Sequence, residues 1–182
     1  LEARINSYEL AYRMQTDARE AFDITGEKPE TAAKYGNNAQ GRQMMIARRL
    51  LERGVRFVQV AQGGWDLHGG IAQRAKRNAD QLDPAIGALM DDLKDRGMFE
   101  DTLIYITSEF GRSPTEDGGG GRSHNARGLS TVLAGGGIKG GMAYGSTDEL
   151  GGSAVENKVH VKDIHATVLN QLGFNHEQLT YR

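Results

Sequence analysis

Apolar residues along the chain recur with two different periods, and the changes of period mark its elements. Over residues 1 to about 22, Leu1, Ile5, Tyr8 and Tyr12 stand at helical spacing and predict an amphipathic helix. The next stretch, DITGEKPETAAKYGNN, carries Gly26, Pro29, Gly36 and paired asparagines and reads as a loop. Met45, Ile46, Leu50 and Leu51 form the apolar side of a helix over about 39–53, with Gly54 placed to close it. The period then shortens, and the β-branched run VRFVQVA predicts a strand over 55–61.

From Ile71 to Arg96 the pattern is helical again. Asp83-Pro84 interrupts it, Asp suiting an N-cap and Pro a first helical position, so two helices or one sharp kink are expected. A buried strand over 102–107, a polar loop and a third strand over 129–136 follow. Glycine-rich GGGIKGGMAYGSTDELGG reads as irregular structure. A last helix is expected to start at Asp163 as N-cap, carry Val168, Leu169 and Leu172, and end at Gly173. Strand, helical crossover, strand is the grammar of a parallel βαβ unit. Strands 55–61 and 102–107 are therefore expected to run parallel, and the third strand, reached without a helix, to return antiparallel. The loops GGWDLHGG (63–70) and SEFGR (108–112) would then leave the same sheet edge, where open α/β sheets bind ligands, with His124 near it.

Composition narrows the picture. A chain of 182 residues, 38% of them hydrophobic, suits one soluble α/β domain over residues 1–182. Its net charge of -2 gives no electrostatic case for nucleic acid or an anionic membrane as partner. No cysteine is present, so disulfides, thiolate metal sites and cysteine nucleophiles are excluded together. No stretch approaches the roughly 20 apolar residues of a membrane span. The chain opens without Met, on a residue already in helical register, as expected of a fragment of a longer protein.

The side chains expected to converge are Asp66 and His68, Glu109 with Arg112, and Arg122, Ser123 and His124. Carboxylates and imidazoles are ligands that zinc or manganese accepts, and carboxylates with carbonyls suit calcium or magnesium. Arg112 and Arg122 suit a phosphate or sulfate through bidentate hydrogen bonds. Together they describe a metal-assisted hydrolase of an anionic ester. Each piece also has a plainer reading. Asp66 would be solvated in a turn and His68 packed, Glu109 would pair with Arg112, EDGGGGR would be a flexible loop, and His124 an exposed loop residue. Asp163 reads as a helix cap rather than a ligand. His160 and His165 would reach the site only to orient ligands from behind, with packing or solvent as the simpler role.

The segments LEARINSYELAYRMQ, ARRLLERGVRFVQV, GGWDLH, TLIYITSEFGRSP, GRSHN, LAGGGIKGG, YGSTDELG and HVKDIHATVLNQLGFNHEQLTYR, in that order, resemble an uncharacterised bacterial family abundant in planctomycetes. Its members are usually exported by a twin-arginine signal and are grouped with the alkaline-phosphatase and sulfatase superfamily. The resemblance implies a three-layer α/β sandwich with a mostly parallel sheet and flanking helices. It also implies a periplasmic or extracellular setting and a divalent metal, zinc, calcium or manganese. Asp66 and His68 resemble the Asp/His pair of a first metal site, Glu109 stands where the superfamily has a ligand, and His124 resembles a later His. Phe110 stands where a second ligand would be, and Ser123 replaces an acid of the family pattern Gly-Arg-Asp-His. The nucleophile of the superfamily would lie outside this chain. The expected activity is hydrolysis of a small-molecule or glycan sulfate or phosphate ester. The alternative is a degenerate member that binds an anionic glycan, or serves surface assembly, without turnover.

Overall fold

The computed structural model describes residues 2–17 and 19–180, so Leu1, Tyr181 and Arg182 of the segments above lie outside it. Its helices are α1 (Glu2–Asp17), α2 (Arg19–Phe22), α3 (Pro29–Tyr35), α4 (Ala39–Glu52), α5 (Ile71–Asp95) and α6 (Val161–Gln171). Its strands are β1 (Ile104–Ile106), β2 (Gly111–Glu116), β3 (Arg122–Asn125), β4 (Val132–Ala134), β5 (Ser146–Thr147) and β6 (Ala154–Glu156). They pair as three separate two-stranded antiparallel sheets, β1 with β4, β2 with β3 and β5 with β6. Contacts divide the chain into two compact units, Leu1–Asp66 with Ala75–Leu93, and Leu67–Arg74 with Lys94–Arg182.

The first unit is helical. Asn38 caps α4, its side-chain oxygen accepting from the Gly41 N–H at 2.9 Å. Gly41 is required there, since a Cβ would stand 2.2 Å from the Tyr35 carbonyl oxygen. Met45 and Ala47 of α4 are buried, as are Ala85, Ala88, Leu89 and Leu93 of α5. At its centre is a charge: Arg48, 2% exposed, pairs with Glu27 at 2.7 Å, Glu52 at 2.8 Å and Asp92 at 3.0 Å. The buried Tyr35 hydroxyl donates to Asp92 at 2.9 Å. Burial of a guanidinium is tolerated here because three carboxylates meet it. Burial pushes the Glu27 carboxyl up, but hydrogen bonds from Arg49 and Arg48 outweigh it and hold the group below its ordinary range.

The second unit holds all the strands. β1 lies within the expected strand 102–107 and pairs antiparallel with β4, Tyr105 opposite Leu133, as the absence of a helical crossover implies.

Several expectations are corrected. The three-layer sandwich with a mostly parallel sheet is not formed: strand covers 13% of the chain in three antiparallel pairs, too little for a sheet layer. Residues 55–61 form no strand, and Phe57 is 78% exposed. β-Branched content favours an extended backbone, but a strand exists only where a neighbour completes its ladder. The loop expected over 23–38 contains α3, with Pro29 in the first turn, where its missing N–H costs nothing. α5 is one helix through Pro84. Pro84 and Asp80 are both exposed, so the proline lies on the outer side of the helix, where water has access to a carbonyl that loses its helical donor. The polar loop after β1 is the β2–β3 hairpin, and the glycine-rich segment expected to be irregular contains β5, which pairs with β6 just beyond it. α6 is capped by His160, not Asp163: His160 Nδ1 accepts from the Lys162 N–H, and Asp163 answers by accepting the His160 N–H at 2.7 Å. No helix among the described residues is long and apolar enough to cross a membrane.

Candidate metal centre

The loop ahead of α5 is anchored by one buried side chain. Leu67 is 2% exposed, while Asp66 and His68 on either side of it are exposed. The β2–β3 hairpin is fastened to this loop by its backbone. The Arg122 N–H donates to the Leu67 carbonyl at 3.0 Å, Gly70 N–H to Gly119 at 2.9 Å and Ile71 N–H to Gly120 at 3.0 Å. The last two bonds satisfy donors at the start of α5 that have no partner within the helix. Contact is so close at Gly121 that a Cβ would lie 2.0 Å from the His68 carbonyl carbon. Only glycine at this point lets the hairpin seat, and seating it sets β3, with His124, beside His68.

The result is a cluster of titratable side chains. His68 Nε2 and His124 Nε2 are 3.2 Å apart. The other nitrogen of His68, Nδ1, is 2.7 Å from Asp117 Oδ2. Asp117 also takes a hydrogen bond from Ser123, and the bonds from His68 and Ser123 hold its carboxyl below the ordinary range. The Phe110 ring packs on His124 with centroids 4.3 Å apart, and the Arg112 guanidinium lies over the Phe110 ring, 5.5 Å from its centroid. Asp66, peptide-bonded to Leu67, completes the group: one ligand atom each from Asp66, His68 and His124 lie within 4.8 Å of one another. His68 and Asp117 side chains are 45% and 39% exposed, so solutes have access.

Of the residues singled out in the sequence, Asp66, His68 and His124 therefore meet. Glu109 is exposed and is not in the group. Arg112 lies opposite His124 in the hairpin register and donates to the Arg122 carbonyl at 3.4 Å, while the Arg122 guanidinium donates to the Gly121 carbonyl. Ser123 serves Asp117, His160 caps α6, and His165 is exposed on α6. Asp117 escapes sequence reasoning because EDGGGGR reads as a flexible loop. Folding 114–125 about its four glycines as a hairpin places Asp117 across from Gly121, at the start of the strand that carries His124.

Tested against a divalent ion, the two imidazoles fit. Two zinc–nitrogen bonds of about 2.0–2.1 Å at a tetrahedral angle put their nitrogens roughly 3.3 Å apart, and the observed separation is 3.2 Å. A ligating imidazole characteristically gives its other N–H to a carboxylate, as His68 does to Asp117.

The fold is thus a mixed helical and antiparallel one carrying an Asp-His-His cluster on its surface. Residues 1–182 match the family described as protein of unknown function DUF1501, and the chain belongs to that family. No curated protein and no solved structure matches it.

Proposed function

We propose that the chain is the metal-holding part of a hydrolase for sulfate or phosphate esters, with Asp66, His68 and His124 as ligands. The observation that carries this is the pair of Nε2 atoms 3.2 Å apart with a carboxylate beside them. A divalent cation there would polarise an ester oxygen and favour its attack by water or a side chain. The likeness of GGWDLH, SEFGR and GRSHN to the alkaline-phosphatase and sulfatase superfamily supports the reaction class. The resemblance of the ordered segments to a family usually exported by a twin-arginine signal supports a periplasmic or extracellular setting. Arg112 and Arg122 are the nearby cations for an anionic ester group. Arg112 donates to the Arg122 carbonyl and Arg122 to the Gly121 carbonyl, bonds that fix the direction of both guanidinium groups. Zinc, manganese and calcium are the ions to compare, and two imidazoles favour the first two.

A second reading, binding of an anionic glycan without turnover, is favoured by Phe110, which fills a ligand's place with a ring packed on His124. Metal content after loading with each ion and exhaustive dialysis tests the site. One equivalent retained by the chain and lost in Asp66→Ala/His124→Ala is expected, and no retention in the parent chain would end both the metal assignment and the hydrolase reading. A panel of sulfate and phosphate esters, with and without chelator, then separates the two readings: chelator-sensitive hydrolysis supports the enzyme, and binding without hydrolysis supports the second.

A further inference from the structure

An ionised carboxylate can only accept hydrogen bonds. With Asp117 Oδ2 at 2.7 Å, His68 Nδ1 therefore carries a proton, and in the neutral ring Nε2 presents a lone pair toward His124. Left alone, that ring has two tautomers, and only this one offers Nε2 to a cation. The carboxylate is itself held. Ser123 bonds to it from β3, one residue before His124, so His124 and the support of His68 depend on the same strand.

We infer that Asp117, steadied by Ser123, is the positioning residue of the site: it fixes His68 in the Nδ1–H form so that Nε2 faces the cation position between His68, His124 and Asp66. This rests on the metal reading above and extends it to a residue that is not a ligand. It also makes sense of Ser123. In this chain the acid supporting the histidines is supplied by the hairpin turn at Asp117, and the residue before His124 needs only a hydroxyl to hold it.

A second consequence concerns His124. At 3.2 Å two lone pairs cannot face one another, so in the metal-free chain His124 Nε2 is the donor to His68. Admission of a cation then requires His124 to carry its proton on Nδ1 instead, while His68 keeps its form.

Nitrogen NMR of the imidazoles in the full chain, at a pH where both rings are neutral, reads these forms directly with no reference to activity. His68 is expected as Nδ1–H with and without zinc, and His124 is expected to change from Nε2–H to Nδ1–H as zinc is added. Asp117→Ala is expected to leave His68 as a mixture of tautomers and to weaken zinc, measured by competition with a chromophoric chelator, by about 10–100-fold. Asp117→Asn, whose amide oxygen still accepts from Nδ1–H, is expected to recover part of this, and Ser123→Ala to lose a few-fold, which keeps the test open should Asp117→Ala fail to fold. His68 remaining Nδ1–H in Asp117→Ala, or zinc affinity within twofold of the parent in both Asp117→Ala and Ser123→Ala, would overturn the inference. If the parent chain takes no zinc, the metal reading fails, and the metal-free comparison of His68 tautomers still decides the role of Asp117.

Discussion

Replacing Gly121 by alanine tests how the two histidines are brought together. A Cβ at this position would meet the His68 carbonyl carbon at 2.0 Å, its oxygen at 2.2 Å and the Gly69 nitrogen at 2.4 Å, all backbone atoms that have no rotamer to yield. Ordinary contact begins near 3.4 Å, so the hairpin has to retreat by about 1.4 Å. A retreat of that size takes the two Nε2 atoms from 3.2 Å to roughly 4.6 Å, beyond the separation that one zinc ion spans. It also breaks or stretches the bonds from Arg122 to Leu67, Gly70 to Gly119 and Ile71 to Gly120. At about 1 kcal/mol each, local opening becomes easier by roughly 2–3 kcal/mol. Hydrogen exchange at the Gly70, Ile71 and Arg122 amides should then accelerate about 30- to 150-fold. Gly69→Ala is the control, because its Cβ would sit at an unstrained 3.6 Å from Gly119 and should change those rates only a few-fold. Unchanged exchange at all three amides in Gly121→Ala would refute the claim that close backbone approach seats the hairpin.

Arg48→Ala should destabilise the first unit by about 3–5 kcal/mol near neutral pH, since it strands three carboxylates around a buried position; denaturant melts measure this. Its pH dependence has a defined sign. The folded Glu27 carboxyl is held below its ordinary value, so its stabilisation is present above the unfolded carboxylate pKa and is lost as pH falls through the lowered folded value. The deficit of Arg48→Ala should shrink over that acid window, where stranded carboxylates can protonate, and a deficit independent of pH would contradict the account. At α6, Asp163→Ala removes the acceptor of the His160 N–H and should cost about 1 kcal/mol, read as faster amide exchange through the first turn.

Much of the local structure was legible in the sequence. The apolar spacing of Met45, Ile46, Leu50 and Leu51 places α4 within a residue of its ends, because helical periodicity and a closing glycine act over a few residues. The pairing direction of β1 and β4 follows from the absence of a helix between them. The chemical types at the site, Asp66, His68 and His124, were equally plain as residues able to hold a cation.

Tertiary structure decided the rest, and the reason is shared: each missed feature depends on a partner distant in sequence. Residues 55–61 have strand composition but no completed ladder, and the parallel sheet expected to gather the loops is not formed. The histidines meet instead because buried Leu67 offers its carbonyl to Arg122 and Gly121 lies against His68. Asp117 became visible only when a run of glycines closed into a hairpin turn and aimed its carboxylate at an imidazole 49 positions earlier. Periodicity reports the face a residue turns to its neighbours. Which distant group meets that face is decided by packing and by hydrogen bonds that no local pattern encodes.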